Sequence, residues 1–439
     1  MTMTMPNDLS AHWMPFSGNR FFKAHPRMIV KAEGCTYTTS DGKTLVDGLS
    51  GLWCCGAGHG RKEITEAVSR TVAEIDYAPG FQVGHPLSFE LASRIAALTP
   101  GDLNHVFFSN SGSEAADTAI KMARGYWKVK GEPSRTKVIG RIKAYHGVNF
   151  GGMSVGGIVG NRKMFGAGID ADHLSHTLLP ENAFSRGLPE KGVELAEQLE
   201  ELVSLHDAST IAAVILEPFS GSAGVVVPPK GYLKRIREIC DKYGILLIFD
   251  EVISGIGRTG QMFAAETMGV TPDIINIAKT ISNGVIPLGA TIASEKIYDA
   301  FMAAGGQDYA IEFPHGYTYS GHPVACAAGL AMLDIFKKDD LLAKCRALIP
   351  YFEDAIHSLK GLPYVEDIRN FGLAGAVQVA EIPGSPAKRA FDIFQTCWDN
   401  GAYVRVGGNT LQFAPAFIAQ TSDIDRLFSI VADALKAQA

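Results

Sequence analysis

The hydrophobic pattern of the chain alternates short apolar runs with longer segments in which apolar residues recur at helical spacing. Residues 245–249 form a run of five apolar residues, and Ile274–Ala278 is a second, largely apolar run. Strands buried on both faces of a parallel sheet have this composition, because helices cover both faces. Segments such as Tyr232–Tyr243 have an amphipathic pattern that predicts crossover helices. The pattern therefore predicts an α/β fold with a mostly parallel sheet.

Similar runs place further elements along the chain. Further strands are predicted at residues 105–109, 136–140, 211–216 and 288–294, and further helices at 115–126, 194–205 and 324–336. A Ser-Asp-Gly turn at residues 40–42 predicts a β-hairpin, and the glycine-rich tract 147–168 predicts an irregular loop. From about residue 339, helices at 341–359 and 387–400 alternate with short strands such as 402–406, which predicts a separate α+β domain.

Composition narrows the class of protein without identifying it. The 439 residues are 46% hydrophobic and 20% charged with a net charge of −6, which offers no basic face for nucleic acid or an anionic membrane. The seven cysteines are odd in number and scattered, which indicates reduced thiols and a cytoplasmic protein. The first residues lack the basic and apolar regions of a signal peptide, and no apolar run is long enough to span a membrane. No spacing of histidines or cysteines predicts a metal site.

Each of the two central runs stops at a residue suited to chemistry. Residues 245–249 stop at Asp250, and Ile274–Ala278 stops at Lys279. Parallel strands deliver both side chains to the carboxyl edge of the sheet, where ligands bind in open α/β folds. A lysine near apolar walls can lose its proton and attack a carbonyl, and an aspartate can keep a pyridine ring protonated. A salt bridge between strand ends explains the same two residues equally well.

The stretch around these residues resembles the class III aminotransferases, which are pyridoxal-phosphate enzymes of fold type I. The matching segments are Asp250-Glu251-Val252, Gly255-Ile256-Gly257-Arg258-Thr259-Gly260 and Asp273…Ala278-Lys279…Gly284…Pro287-Leu288-Gly289. Thr280 stands where many members have glycine. The resemblance implies a large domain with a mostly parallel seven-stranded sheet and a smaller α+β domain made from both chain ends. The implied boundaries are 1–65 for an N-terminal segment joining the small domain, 66–325 for the large domain and 326–439 for the C-terminal small domain.

Residues 255–260 also match the GxGxxG fingerprint of dinucleotide-binding proteins. A dinucleotide-binding unit needs a full crossover helix after the glycines, but Gly269 and Pro272 limit this one to about two turns. Asp250 would also place negative charge beside the pyrophosphate. We therefore predict that the match has no functional meaning.

A second glycine-containing segment, Asn110-Ser111-Gly112-Ser113-Glu114, follows the predicted strand 105–109. Ser111 and Glu114 have the spacing of a helix capping box, which many helices carry for stability alone. A helix that starts this way also offers free N–H groups and a positive dipole end to a phosphate. The resemblance places the phosphate of pyridoxal 5′-phosphate here, on Ser111, Gly112 and Ser113.

The resemblance assigns further residues to the cofactor. Tyr145 stacks on its ring, His146 and Val252 lie beside it, and Thr318 contacts the phosphate bound to the neighbouring subunit. The last assignment implies a homodimer with shared active sites and leaves open whether dimers pair into tetramers. From the residues alone, Tyr145 could equally be a tyrosine that packs and hydrogen-bonds locally.

The resemblance also implies a substrate site. Trp53 and Phe81 wall the pocket, and Arg405 binds the substrate carboxylate, for which its planar fork is suited. Glu217 pairs with Arg405 when no carboxylate is bound. From the residues alone, Trp53 could be core, Glu217 a satisfied strand-end carboxylate and Arg405 an exposed ion-pair partner.

We therefore predict an aminotransferase that acts on small-molecule amines and keto acids. Lys279 binds the cofactor covalently and then moves a proton as general base, while Asp250 keeps the ring nitrogen protonated. The segment from Gly51 to Gly60 is similar to β-alanine:pyruvate transaminases, so an ω-amino acid or amine is the expected donor and pyruvate the acceptor. A 4-aminobutyrate or ornithine transaminase using 2-oxoglutarate, an aminomutase or decarboxylase, a nicotinamide dehydrogenase and a non-catalytic binding protein remain as alternatives.

Overall fold

The computed structural model describes residues 8–438, which form strands and helices in mixed order. The strands of this part of the chain are β1 Ile29–Glu33, β2 Thr36–Thr39, β3 Thr44–Asp47, β4 Leu103–Ser109, β5 Lys137–Arg141, β6 Ala171–Leu174, β7 Ile211–Leu216, β8 Leu246–Asp250, β9 Ile274–Ala278, β10 Gly289–Ser294, β11 Val365–Asn370, β12 Gly375–Val379, β13 Ala402–Tyr403, β14 Arg405–Gly407 and β15 Thr410–Phe413. The α-helices are α1 Asn19–Ala24, α2 Ser50–Trp53, α3 Lys62–Glu74, α4 Pro86–Ala96, α5 Gly112–Val129, α6 Phe150–Val155, α7 Val159–Arg162, α8 Gln198–His206, α9 Tyr232–Tyr243, α10 Ala264–Met268, α11 Glu295–Ala304, α12 Pro323–Lys338, α13 Leu341–His357, α14 Lys388–Asp399 and α15 Thr421–Lys436.

A seven-stranded sheet forms the centre of the molecule, in the order β4-β10-β9-β8-β7-β5-β6. The strands from β9 to β6 run parallel, whereas β10 is antiparallel to both β4 and β9. The predicted α/β class with a mostly parallel sheet is therefore confirmed. The carboxyl ends of β8 and β9 are neighbours, so Asp250 and the residue after Ala278 lie at the same edge.

The central strands are buried on both faces, which explains their continuous apolar runs. Leu247 and Phe249 of β8 enter one apolar cluster, which packs against α9 and α12. Leu246 and Ile248 enter a second cluster on the other face, which packs against α5 and α11. Because successive side chains of a strand point to opposite faces, both faces need apolar residues. The two residues suited to chemistry, Asp250 and Lys279, accordingly stand where β8 and β9 end.

Two smaller sheets flank the large one. The first has the order β1-β2-β3-β13, and the second has the order β11-β12-β15-β14. The hairpin predicted around residues 40–42 is the antiparallel pair β2 and β3. Strand β3 also pairs in parallel with β13, so a segment from each end of the chain shares one sheet. The boundaries at residues 65 and 325 stay a prediction.

The structure corrects two predictions of regular structure. Residues 402–406 do not form one strand, because the chain changes sheets at buried Val404, so that β13 and β14 belong to different sheets. The tract 147–168 is not wholly irregular, since it contains α6 and α7. Gly152 of α6 lies so close to the carbonyl of His146 that a side-chain carbon there would be 2.0 Å from that oxygen. This close packing requires glycine at position 152. Because glycine has a low helix propensity, the sequence pattern did not indicate a helix here.

The segment with the GxGxxG pattern is buried and leads into α10, which has only five residues. The Arg258 guanidinium of that segment donates to the carbonyls of Leu373 and Pro415, at 3.1 and 2.7 Å. The segment thus joins two parts of the fold, and the helix that follows it is short, as predicted. Across residues 8–438, no helix is long and apolar enough to cross a membrane.

Candidate active site

A cavity of about 330 Å³ opens at the carboxyl edge of the large sheet, which is a size typical of small-molecule sites. It brings together many of the predicted site residues. Those that line it are Ser111, Gly112, Ser113, Tyr145, His146, Glu217, Asp250, Val252 and Lys279. These residues lie at or just after the carboxyl ends of β4, β5, β7, β8 and β9, so one edge of the sheet supplies them all.

Lys279 follows β9 directly and carries the amine of the cavity. Within the described residues, its Nζ has no hydrogen-bond or ion-pair partner. Burial lowers the pKa of the Lys279 ammonium, and the positive charge of Arg405 lowers this pKa too, against the opposing effects of Cys54 and Asp250. Its backbone has a φ of +56°, which is strained for a residue with a side chain and is typical of functional positions. The amine is therefore prepared to act as a nucleophile or base.

Asp250 ends β8 with its carboxylate buried at the cavity. Its Oδ2 lies 2.8 Å from Nδ1 of His146, and its Oδ1 accepts from the N–H of Val252 at 3.2 Å. Because a carboxylate only accepts, Nδ1 of His146 carries the proton in this pair. The carboxylate is thus fixed in position and keeps room for one further donor. His146, which the sequence placed only beside the cofactor, contacts the carboxylate itself.

The amino end of α5 forms another part of the cavity. Ser111 Oγ accepts from the N–H of Glu114 at 3.2 Å, which confirms half of the predicted capping box. The Glu114 carboxylate instead reaches the N–H of Asn110, at 2.7 Å. Consequently the N–H groups of Ser111, Gly112 and Ser113 have no partner within residues 8–438. Three free donors at the positive end of an 18-residue helix suit a phosphate.

The surface beneath these donors has no room for side chains. A side-chain carbon on Gly112 would lie 2.8 Å from Cγ1 of Val252, and one on Gly147 would lie 2.5 Å from Cα of Ser113. The cavity therefore presents bare backbone at one side, a carboxylate at its floor and a desolvated amine. This arrangement fits a flat aromatic aldehyde that carries a phosphate and a ring nitrogen.

Glu217 lines the cavity but does not pair with Arg405, the partner that the resemblance implied. Its two carboxylate oxygens accept from the N–H groups of Tyr145 and Gly221, at 3.0 and 3.2 Å. Arg405 instead donates from Nη1 to Oε1 of Gln412 at 3.2 Å. The predicted pair of Glu217 with Arg405 is therefore not formed, because backbone amides occupy the carboxylate. Burial raises the pKa of Glu217 to about 7, and the charge of Asp250 acts in the same direction.

This raised pKa predicts a pH-dependent contribution to stability. Between pH 4.5 and 7 the folded chain keeps the Glu217 proton that the unfolded chain loses, so stability falls as pH rises through this window. We expect wild type to lose on the order of 3 kcal/mol relative to Glu217→Gln across it, with no further relative change above pH 8. Thermal unfolding midpoints of the two proteins from pH 5 to 8.5 measure this. A constant difference between the midpoints would contradict the raised pKa.

Four predicted site residues, Trp53, Phe81, Thr318 and Arg405, are not among those that line the cavity of their own chain. Trp53 is buried in an apolar cluster with Phe219, while its neighbours Leu52 and Cys54 line the cavity. Phe81 is 57% exposed, and Thr318 accepts at its carbonyl from Tyr77 Oη at 3.0 Å. The structure thus does not place Trp53, Phe81, Thr318 or Arg405 in the lining of this cavity, and their contacts with cofactor or substrate stay predictions.

The cavity also contains residues that the sequence did not single out. The added lining residues are Leu52, Cys54, Asn110, Gly147, Ile253, Ala278, Ser282, Gly284, Ile286, Pro287 and Leu288. Asn110 and Cys54 adjoin Ser111 and Trp53, so adjacency to a predicted site residue was the available signal. Gln412, which contacts Arg405 rather than the cavity, could not have been identified from the sequence, because a glutamine in a short strand does not indicate any particular role. Within the described residues, no group of three or more His, Cys, Asp or Glu side chains could hold a metal ion.

The family model for class III aminotransferases matches residues 19–435. The chain belongs to this family. Over 98% of its length and 96% of the relative's, it is 59% identical to the beta-alanine–pyruvate aminotransferase of Pseudomonas aeruginosa. It is also 57% identical to the omega-amino acid–pyruvate aminotransferase of Pseudomonas putida, over 97% of this chain and 96% of that protein.

Solved structures agree with this assignment over the whole chain. The amine transaminase of an uncultivated Pseudomonas species, determined in its PLP-bound form, has a TM-score of 0.91 and 34% identity. The match covers 99% of this chain and all of that one. The fold type I architecture therefore spans nearly all of the described chain.

Proposed function

We propose that this aminotransferase moves the amino group of an ω-amino acid such as β-alanine, or of an amine, to pyruvate. The products are L-alanine and an aldehyde or keto compound. One observation carries the reaction type: a desolvated amine, a buried carboxylate and a free helix amino end share one cavity. Pyruvate and β-alanine are supported by the names of the relatives at 59% and 57% identity.

The cofactor is pyridoxal 5′-phosphate, which supplies an aldehyde that binds amines covalently and a ring that takes up the electron pair released from the substrate carbon. The N–H groups of Ser111, Gly112 and Ser113 would hold its phosphate. Asp250 would hold the proton on the ring nitrogen, and Tyr145 would stack on the ring. Lys279, the lysine that lines the cavity, would bind the aldehyde covalently. The bare-backbone cradle, the free donors and the unpartnered amine support these roles.

The residues of the chain divide the proton transfers among themselves. Nζ of Lys279 takes the proton from the substrate carbon that bears the amine, because its lowered pKa leaves the amine free to accept one. The Asp250 carboxylate, which accepts from Nδ1 of His146, would face the ring nitrogen and stabilise its protonated form. Arg405 offers its guanidinium fork to the substrate carboxylate.

We also propose that the protein is a homodimer with shared active sites and that it is located in the cytoplasm. Phe81 and Thr318 lie in adjoining loops outside their own cavity, where they could complete the cavity of a second copy. In the described residues all seven cysteines are free thiols, which suits a reducing compartment. A mixed dimer of Lys279→Ala and Thr318→Ala chains tests the sharing. One of its two sites would be intact and restore activity above either parent.

The visible absorption spectrum tests the reaction. We expect a yellow band of bound cofactor that bleaches on adding β-alanine and returns on adding pyruvate. A band that ignores β-alanine but bleaches with other amines would retain the enzyme class and discard this donor. The absence of a band after adding pyridoxal phosphate would refute the proposal.

The cradle predicts that Gly112→Ala weakens binding of the cofactor. Its added methyl meets Val252 at 2.8 Å, and overpacking of this kind costs about 1–3 kcal/mol. We expect the dissociation constant of pyridoxal phosphate to rise about tenfold or more, measured by titration of the apoenzyme. Gly160→Ala is the control, since nothing lies within 4 Å of its added carbon. The double variant Gly112→Ala with Val252→Ala restores the space, so we expect it to bind the cofactor more tightly than Gly112→Ala alone. Wild-type affinity in Gly112→Ala would contradict the clash with Val252.

A further inference from the structure

Within the described residues, the positively charged side chain of Arg405 has no carboxylate beside it that would neutralise its charge. Its Nη1 donates to Gln412 Oε1 at 3.2 Å, and within the described residues it has no ion pair with a carboxylate. Burial lowers the pKa of its guanidinium, against opposing effects of Tyr403 and Tyr145. A guanidinium has five donors and gains most from two parallel bonds to a carboxylate. The charge is therefore kept available for a carboxylate from outside the chain.

Gln412 is the residue that holds this arginine. It lies directly opposite Arg405 in the antiparallel pair of β14 and β15, and it has no exposed surface. Its Nε2 donates to the carbonyl of Ser222 at 3.0 Å, in the loop that follows the cavity residue Glu217. A side-chain carbon on Gly407 would lie 2.9 Å from this same nitrogen, so the amide is closely packed. Gln412 thus bridges the arginine to a wall of the site.

We propose that Gln412 is a positioning residue that determines preference for substrates with a carboxylate. Its neutral amide orients the Arg405 fork through one hydrogen bond and leaves the positive charge uncompensated. A glutamate at this position would place a negative charge beside the guanidinium and form a permanent ion pair. That pair would compete with the substrate carboxylate. The inference rests on the proposed function, because it assigns Arg405 to carboxylate recognition.

The substitution Gln412→Glu tests this inference, because it places a negative charge beside the guanidinium with almost no change of shape. It also removes the hydrogen bond to the Ser222 carbonyl, so the amine without a carboxylate serves as the reference for any general disturbance of the site. We expect the dissociation constant of propanoate, measured by calorimetry, to rise at least tenfold. In the half-reaction followed by bleaching of the cofactor band, the second-order rate constant with β-alanine falls at least tenfold. The constant with propylamine, which lacks the carboxylate, changes by less than twofold, however slow this amine is in wild type.

Gln378→Glu is the matched control. Gln378 Oε1 also accepts from a buried arginine, Arg369 Nη1 at 3.1 Å, but that arginine already pairs with the carboxylate of Asp367. We expect this variant to match wild type in every measurement. Equal losses for β-alanine and propylamine, or no loss for either, would overturn the role of Gln412. A wild type that does not bleach with any amine would refute the proposed function instead.

Discussion

Lys279→Ala is expected to reduce transamination by at least about 10³-fold, the largest loss of any single substitution in the site. General base catalysis alone contributes about 10²–10⁴-fold, and the same amine also forms the covalent bond to the cofactor. In the described chain, no other lysine lines the cavity that could replace it. Steady-state rates with β-alanine and pyruvate measure the loss.

A readout independent of turnover accompanies this variant. After borohydride reduction and denaturation, wild type retains the cofactor covalently, and Lys279→Ala releases it. Lys338→Ala is the control, because that lysine is largely exposed and pairs only with Glu63 at 3.1 Å. A Lys279→Ala protein with nearly full activity would favour the dehydrogenase or binding-protein alternatives.

Asp250→Asn is expected to lower the rate of the half-reaction by about 10–10³-fold, with little effect on substrate affinity. Removing an opposite charge at hydrogen-bond distance shifts a partner's pKa by about 1–3 units, and each unit is tenfold in the protonated fraction. The ring nitrogen then loses its proton and takes up electrons poorly. Stopped-flow measurement of cofactor bleaching with β-alanine separates the maximal rate from the affinity.

The amide in this variant keeps an acceptor for His146 and loses only the longer hydrogen bond from the N–H of Val252, so the fold is expected to change little. The thermal unfolding midpoint checks this directly. Asp334→Asn is the control, because this exposed residue pairs with Arg94 and neither of the two lines the cavity. A half-reaction as fast as wild type would show that Asp250 does not act on the reacting ring.

The sequence predicted the parts of the site that depend on local pattern. Burial on both faces demands a continuous apolar run, so the ends of β8 and β9 were readable, and with them Asp250 and Lys279. The amino end of α5 was readable because a capping box uses residues three positions apart. The sequence did not predict that the Glu114 carboxylate accepts from the N–H of Asn110 rather than from that of Ser111. This choice depends on how the backbone bends between β4 and α5.

The tertiary structure alone decided which distant residues meet. The partners of Glu217 are backbone amides that the packing of two loops brings to it, and no pattern within either loop specifies them. Arg405 meets Gln412 because the chain changes sheets at Val404 and then turns back on itself. A single sequence carries the period of each element, but register between strands and contact between loops follow from the packing of the whole fold.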